Sequence, residues 1–198
     1  MNDMNLVAMV TGEEYQASSV LSVAMVSNPI HDAVLHGQGE AERQRLEEMF
    51  LEMLTERPRE VLVMKHESTI VGVLRSQECH ERSASQEQVA AEVDEAALDD
   101  TDSRIAHWSR VWDELDPQEP HRHLGPVGVL PKFQGHGIGS MMMENFCAQV
   151  DANGEPAYLE TDKLENVRFY EKFCFRLIGE TDIFGVKNYF MWRATKSN

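Results

Sequence analysis

The sequence has few cysteines and no long apolar run, and each shortage excludes a class of protein. Its three cysteines are odd in number and irregularly spaced, so we expect reduced thiols in a cytoplasmic protein and not a disulfide framework. No apolar run is long enough to cross a bilayer, and the first residues lack the basic and apolar segments of a signal peptide. We therefore expect no membrane association.

Positive charge is also scarce. The chain has 18 basic and 34 acidic residues, a net charge of −16. This balance argues against a nucleic-acid partner, because phosphate backbones require a basic surface. The length of 198 residues is that of one ordinary domain with a full core. We treat residues 1–198 as a single domain, and the oligomeric state stays open between monomer and homodimer.

Apolar periodicity predicts an alternation of helices and strands. One predicted helix begins at a capping box of Thr11 and Glu14, and a second runs over about 40–55. Two more form a pair between about 86 and 115. The predicted strands cover residues 61–64, 70–74, 157–161 and 189–192.

The strongest local signal is a glycine-rich turn between an apolar strand at 127–129 and an amphipathic helix that starts near Ile138. Three glycines in five positions leave the backbone N–H groups at the helix start uncovered. Such a helix end binds phosphate through its free amides and its dipole. The spacing is neither that of a dinucleotide fingerprint nor that of a P-loop. Taken alone, the turn is also compatible with a purely structural role.

Two motifs together resemble the GNAT N-acetyltransferase superfamily. The order Gln134-x-x-Gly137-x-Gly139 after a strand is similar to that family's acetyl-CoA pyrophosphate loop. Residues 166–175 read Asn-Val-Arg-Phe-Tyr-Glu-Lys-Phe-Cys-Phe, like the family's Phe-Tyr-Glu-Lys-x-Gly-Phe ending, with Cys174 in place of glycine. A predicted helical insertion before the fourth strand is similar to the branch that contains puromycin N-acetyltransferase.

The resemblance implies an α/β (α+β) fold with a mixed central sheet, splayed between strands four and five, and helices on both faces. The helical insertion, about 78–120, would lie between strands three and four. The family implies acetyl-CoA as co-substrate and no metal. The implied cofactor-binding residues are Val127, Gly128, Val129, Gln134, Gly135, His136, Gly137, Ile138, Gly139, Ser140 and Asn166.

Pro126 and Gly128 are unusual inside a strand, because proline removes a ladder donor and glycine weakens the strand. Their usual places are an edge, a bulge or a close backbone approach. The resemblance implies the last of these, with the pantetheine arm of the cofactor paired to exposed backbone at 127–129.

Aminolysis of a thioester requires a neutral amine, a polarised carbonyl and a proton for the leaving thiolate. The resemblance assigns the proton donor to Tyr170, and the alternative is a core aromatic residue beside Phe169. Glu160 is the predicted base, with His121 and His123 as alternatives, and a water relay would need no single base. A metal site at the two histidines is not favoured, because no further ligand falls at a recognisable spacing.

The insertion bears on the acceptor. Residues 78–119 include 13 acidic and three basic residues, which indicate either a solvated surface or a rim that attracts a cationic amine. Trp108, Trp112 and Trp192, with His123, are predicted to line the acceptor pocket, and for the tryptophans core packing is the alternative. We predict acetyl transfer to the primary amine of a small cationic molecule by direct attack on the thioester. A protein N-terminal or lysine acetyltransferase and a non-catalytic acyl-CoA-binding module are the alternatives.

Overall fold

The computed structural model describes residues 4–55, 60–81 and 93–196. The strands are Met4–Ala8 (β1), Glu60–His66 (β2), Thr69–Cys79 (β3), His121–Val129 (β4), Ala157–Thr161 (β5), Arg176–Ile183 (β6) and Val186–Arg193 (β7). They form one sheet in the order β1-β2-β3-β4-β5-β7-β6. The β4–β5 pair is parallel and every other pair is antiparallel. The predicted mixed sheet is confirmed.

Helices cover both faces of this sheet. They are Glu14–Met25 (α1), Pro29–Leu35 (α2), Glu40–Thr55 (α3), Thr101–Leu115 (α4), Ile138–Asn153 (α5) and Leu164–Glu171 (α6). One core contains Phe146 of α5 and Tyr170 of α6, packed with Leu159 of β5. A second core, between α1 and α3 and the sheet, contains Leu21 and Phe50. In the described part of the chain, none of the helices combines the length and apolarity needed to span a membrane.

A smaller third core attaches α4 to the rest of the molecule. Trp108 of α4 packs with Ile30 and Val34 of α2 and with Ile183 of β6. The guanidinium of Arg104 reinforces this attachment, because its Nη2 donates to the carbonyl oxygen of Ala33 at 2.8 Å. The acidic insertion is therefore anchored over α2 and the β6–β7 pair.

A buried ion pair joins the end of α5 to β7. Arg193 Nη1 lies 2.7 Å from Asp151 Oδ1, and the Arg193 side chain is 3% exposed. The hydrogen bond from Arg193, with a second from Lys196, lowers the pKa of Asp151 to about 2. This contact holds the helix that follows the glycine-rich turn against the sheet.

Most predicted elements are present, with two kinds of difference. The prediction of a capping box is wrong, because α1 begins at Glu14 after the N-cap residue Glu13 and has no side-chain cap. Instead, Glu13 accepts a hydrogen bond from the amide of Val10, and Glu14 accepts one from Gly12. The elements β1, α2 and β6 were not predicted, because they are short or lack a clear apolar period.

The predicted helix pair of the insertion is only partly described. The second helix is confirmed as α4, capped by Asp100, whose side chain accepts a hydrogen bond from Ser103 N. The start of the predicted first helix lies outside the described residues. Within the described part, a short 3₁₀ turn at Glu95–Ala97 precedes α4.

Candidate active site

The site is centred on a gap between the parallel strands β4 and β5. The two strands pair only at Arg122 with Ala157 and at His123 with Tyr158. Beyond these pairs, β4 continues beside β3 alone and β5 continues beside β7. The predicted splay between strands four and five is confirmed. It leaves the backbone at 127–129 without a strand on its β5 side.

A β-bulge accompanies this divergence. The register of β3 and β4 shifts so that Gly125 and Pro126 both lie opposite the single residue Arg75. The buried Arg75 guanidinium donates from Nη1 to the carbonyl oxygen of Gly125 at 3.0 Å. Bulges bend a strand and increase its twist, so Pro126 occupies one of the places where a strand tolerates proline.

Gly128 also has an explanation within the chain itself. A Cβ atom at this position would lie 3.0 Å from Leu21 Cδ2 and 3.2 Å from Ala24 Cβ, both in α1. The close approach of a helix therefore disfavours a side chain at this position, and it accounts for the glycine without a ligand. A cofactor contact at Val127, Gly128 and Val129 stays a prediction that depends on the free strand edge.

The glycine-rich turn presents the start of α5. Gly135 and Gly137 have positive φ angles of 76° and 82°, and a Cβ at either would meet no atom within 4 Å. The first intrahelical bond runs from Met141 N to Gly137 O, so the preceding three amides of α5 have no acceptor in the helix. Open space in front of free amides fits the pyrophosphate of acetyl-CoA.

Two side chains in this turn hold its shape. Gln134 Nε2 donates to the carbonyl oxygen of Val129 at 2.8 Å. His136 Nδ1 donates to the carbonyl oxygen of Gln134 at 2.8 Å. Gln134 and His136 thus shape the loop, and their own contact with a cofactor remains a prediction. The same holds for Ile138, Gly139 and Ser140, whose amides stand at the helix start.

Tyr170 lies on the α5–α6 side of the sheet. Its ring contacts Phe169 and Phe175, with centroids 5.3 and 6.0 Å apart, and its side chain is buried. Burial, with a smaller contribution from the charge of Asp162, raises the pKa of Tyr170 to about 12. The phenol therefore keeps its proton at neutral pH, so that in a proton transfer it can act as the acid and not as the base.

A histidine and a glutamate meet where β4 and β5 begin to separate. His123 Nε2 lies 2.8 Å from Glu160 Oε2, and the Glu160 side chain is 4% exposed. Burial alone would lower the pKa of His123, but the charge of Glu160 and hydrogen bonds with Cys79 and Glu160 raise it to about 10. Glu160 and His123, predicted as alternative bases, are in fact one hydrogen-bonded pair.

The pair and Tyr170 lie on opposite faces of the sheet. Glu160 alternates along β5 with Leu159, so their side chains point to opposite faces. Leu159 belongs to the same core as Tyr170, whereas the His123 ring packs on Tyr158, at a centroid distance of 5.5 Å. The gap thus has a carboxylate and an imidazole on one face and a phenol on the other.

Further polar groups surround His123 and were missed from the sequence. Cys79, at the end of β3, is the register partner of His121 at the start of β4. The ligand atoms of Cys79, His121 and His123 all lie within 4.8 Å of one another. A third possible ligand thus lies beside the two histidines, although it falls at no recognisable spacing in the sequence. Only the register of β3 against β4, which places Cys79 beside His121, could have indicated this.

His121 has an acidic partner of its own. Its Nε2 lies 3.1 Å from Asp116 Oδ1, and both side chains are almost fully buried. Burial opposes the charged imidazole, but Asp116, Cys79 and the Glu119 carbonyl raise the pKa of His121 to about 9. The histidine cluster, as we name it, consists of Cys79, Asp116, His121, His123 and Glu160.

The predicted acceptor residues in α4 lie in the third core and not beside the β4–β5 gap. Trp108 and Trp112 pack edge to face at 4.8 Å within the third core, and Trp112 Nε1 donates to Asn188 Oδ1. This favours the core-packing alternative. The tryptophan that approaches the histidine cluster is Trp192, whose ring centroid lies 5.8 Å from that of His121.

Two other predicted features have local structural roles. Asn166 Nδ2 donates to Thr161 Oγ1 at 3.0 Å, which fixes α6 against the end of β5. In the insertion, Glu95 contacts His107 Nε2 and the amide of Phe184. Part of the acidic charge therefore holds the insertion together. Asn166 as a cofactor contact and the rim as an attractor of amines stay predictions.

Comparison with known proteins agrees with this geometry. Residues 28–175 match the model of the Acetyltransferase (GNAT) family. Arylalkylamine N-acetyltransferase 2 from Aedes aegypti superposes with a TM-score of 0.73 at 13% identity, over 98% of this chain and all of that chain. A histone acetyltransferase HPA2-related protein from Corynebacterium glutamicum gives a TM-score of 0.69 at 17% identity, over 99% of this chain and 98% of that chain.

The polyamine N-acetyltransferase of Drosophila melanogaster gives a TM-score of 0.68 at 16% identity, over 97% of this chain and all of that chain. At such identities these likenesses show the fold alone. The family model covers most of the chain, and the splayed strands and the free helix amides suit acetyl-CoA. The chain therefore belongs to the GNAT acetyltransferase family and is an acetyl-CoA-dependent N-acetyltransferase.

Proposed function

We propose that this enzyme transfers an acetyl group to the primary amine of a small cationic molecule. The observation that carries the proposal is the arrangement at the gap between β4 and β5. A hydrogen-bonded pair, His123 and Glu160, lies on one face, and Tyr170 lies in the core on the other. Acetyl transfer needs these two functions at opposite ends of the reacting group: removal of a proton from the amine and delivery of one to the sulfur.

The cofactor side is assigned to backbone groups. When bound, acetyl-CoA supplies its acetyl group as a thioester. The free amides of Ile138, Gly139 and Ser140 would hold the pyrophosphate. The unpaired strand edge at 127–129 would hold the pantetheine arm and donate to the carbonyl oxygen as negative charge develops there.

Proton transfers are assigned to the two faces. The amine nitrogen bonds to the acetyl carbon while its proton passes, directly or through water, to the Glu160 carboxylate. His123, whose pKa of about 10 keeps it protonated at neutral pH, donates to this carboxylate and orients it. The carbon–sulfur bond breaks, and Tyr170 donates its proton to the departing sulfur. Because burial raises the pKa of Tyr170 to about 12, Tyr170 is a weak acid. We therefore expect its proton transfer to raise kcat by ~10²-fold, the lower end of the usual range for general acid catalysis.

The acceptor side favours a small molecule. The Tyr158 hydroxyl reaches the carbonyl oxygen of Leu115 at 3.5 Å, so the end of α4 lies over the face that carries His123. Arg104 ties the same helix to α2. A covered face suits a compact acceptor better than an extended peptide. The carboxylates of Asp116 and Glu160 beside it favour a cationic one.

Structural neighbours support the same class of acceptor. One is the polyamine N-acetyltransferase, which forms N-acetylagmatine, and another is the arylalkylamine N-acetyltransferase. A protein acceptor is the second candidate, since a ribosomal-protein-S18-alanine N-acetyltransferase from Escherichia coli is also a neighbour, with a TM-score of 0.61 at 11% identity.

The test is a panel of acceptors with acetyl-CoA, in which the acetylated product is identified by mass spectrometry. The panel contains polyamines, agmatine, arylalkylamines, aminoglycosides, amino acids and short peptides with free N-termini or lysines. We expect the highest kcat/KM for a small amine that is cationic at neutral pH. A preference for peptides would replace this proposal by the protein acetyltransferase, and acetyl-CoA binding without any turnover would indicate a binding module.

A further inference from the structure

The histidine cluster contains a compact set of metal-ligating atoms that lies apart from the cofactor loop. The ligand atoms of Cys79, His121 and His123 lie within 4.8 Å of one another. Cys79 and His121 are register partners in an antiparallel pair, and His123 follows on the same face of β4. The backbone ladder between β3 and β4 therefore fixes all three side chains.

The chemistry of this donor set selects one class of ion. One thiolate and two imidazoles are borderline-soft ligands that zinc and neighbouring transition metals prefer, whereas calcium and magnesium require oxygen ligands. In a tetrahedral site with bonds of about 2.1–2.3 Å, the ligand atoms lie roughly 3.5 Å apart. Because the three atoms lie within 4.8 Å of one another, they would have to approach by at most about 1 Å to reach this spacing.

The hydrogen bonds around the histidines orient lone pairs toward such an ion. His121 Nδ1 donates to the carbonyl oxygen of Glu119 at 2.7 Å, so in the neutral ring Nε2 carries the lone pair. This Nε2 lies 3.1 Å from Asp116 Oδ1, and within the described residues it has no well-aligned hydrogen bond. Without a metal, the raised pKa of His121 keeps a proton between these two atoms. A metal ion at Nε2 would displace that proton, as metal binding to histidine generally does.

His123 is held in a comparable way. Its Nε2 bonds to Glu160, which leaves Nδ1 as the ligating nitrogen. A carboxylate or carbonyl on the second ring nitrogen is the usual outer partner of a metal-bound histidine. Both rings have such a partner: Glu119 O for His121 and Glu160 for His123. A set of three ligands with oriented rings matches the protein part of an open zinc site.

We propose that Cys79, His121 and His123 bind one divalent transition-metal ion of the zinc class, with Asp116 as the nearest further donor. Occupancy of the site would engage His123 and so inhibit acetyl transfer, and this second clause rests on the proposed function. The binding clause does not depend on any activity.

Binding is tested first, with cobalt as the probe. The purified full chain is treated with a chelator, freed of it and titrated with Co²⁺ while the absorption spectrum is recorded. We expect one ion per chain and a thiolate-to-cobalt charge-transfer band. Cys79→Ser should abolish the band and weaken binding by at least the ~10–100-fold that changes in outer partners already cause. Cys174→Ser, at an exposed cysteine in the turn after α6, is the matched control and should keep the band.

Outcomes of the cobalt titration are distinct. The absence of a charge-transfer band in the wild-type chain, or its persistence in Cys79→Ser, would overturn the site. Thermal unfolding of each variant shows whether it is folded. If Cys79→Ser does not fold, His123→Gln provides the second measurement, because it keeps the thiol and should weaken Co²⁺ binding by a similar factor.

Inhibition is tested with Zn²⁺ on the best amine substrate, with the acetylated amine as the readout. The wild-type enzyme should lose activity and regain it with chelator, whereas Cys79→Ser should require at least ~10-fold more Zn²⁺. Complex formation between Zn²⁺ and the CoA thiol is the same for both proteins, so the difference reports the site. Equal sensitivity would refute the inhibitory clause. A cobalt band in a chain that acetylates no amine would keep the metal site and refute the proposed function.

Discussion

The cofactor side and the acceptor side of this enzyme are built by different means. The proposed cofactor side is one continuous segment, residues 127–140, which would act through backbone amides and a free strand edge. The histidine cluster combines side chains from the end of β3, the end of the insertion, the start of β4 and the middle of β5. A backbone site requires only glycines and a helix start in the right order, whereas a side-chain site depends on how distant segments pair.

The largest expected effect tests whether the cofactor side acts through backbone. Gly139 has room for a side chain, since a Cβ there would contact only Phe169 Cζ, at 3.6 Å. We predict that Gly139→Glu weakens acetyl-CoA binding by ~10³-fold, because like-charge juxtaposition costs several kcal/mol. Isothermal titration calorimetry measures the effect.

Gly139→Ala is the matched control and should bind acetyl-CoA with nearly unchanged affinity. Gly137 is a less informative position because its φ of 82° strains any other residue. If Gly139→Glu binds normally, the pyrophosphate lies elsewhere and the assignment of the helix amides is wrong.

A second variant tests whether the acceptor side depends on side-chain charge. We predict that Glu160→Gln lowers kcat by ~10²-fold or more, since the pair with His123 loses its negative member. Acetyl-CoA affinity should stay the same, because the cofactor side does not use this carboxylate. Glu155→Gln, which changes a carboxylate paired with Arg122 outside the cluster, should keep full activity. Equal kcat for both variants would mean that water alone accepts the proton.

The same contrast explains what could be predicted from the sequence. The strand, the glycine turn and α5 were predicted because periodicity and glycine spacing are local properties. Cys79 was not associated with His121, because about forty residues separate them and only the register joins them. Trp108 and Trp112 were predicted to contact the substrate because their helical spacing does not reveal which core they enter. The helix contact at Gly128 was not predicted, since the helix that approaches it comes from another part of the chain.

Stability should depend on the framework rather than on either site. We predict that Asp151→Asn destabilises the fold by about 2–3 kcal/mol, less than the loss for a fully buried ion pair because Asp151 is 18% exposed. The pKa of Asp151 is lowered to about 2 in the folded state. Its contribution is therefore complete above the unfolded pKa of ~3.9 and is lost as the pH falls from there toward 2. Urea unfolding of both proteins at these pH values measures the difference in stability between wild type and Asp151→Asn, which should shrink as the pH falls because Asn does not titrate.

The smallest expected effect concerns the acidic insertion. We predict that kcat/KM for a cationic amine falls several-fold when the salt concentration rises from about 0.1 to about 1 M, as the Debye length shortens from ~10 to ~3 Å. Neutralising the exposed Asp99 and Glu119 together should reduce this salt response. Neutralising Glu42 and Glu52 on α3 should leave it unchanged. A salt response that is identical in all three proteins would assign the insertion charge to solvation alone.

The central claim is that proton removal and proton delivery occur on opposite faces of the β4–β5 gap, and Tyr170→Phe tests it most directly. Phenylalanine keeps the packing against Phe169 and Phe175 and removes only the hydroxyl. The measurement is kcat with the best amine, beside the Kd of acetyl-CoA from calorimetry. We predict a fall in kcat of ~10²-fold with an unchanged Kd. Full kcat in the Phe variant would contradict the claim, because another group would then protonate the departing sulfur.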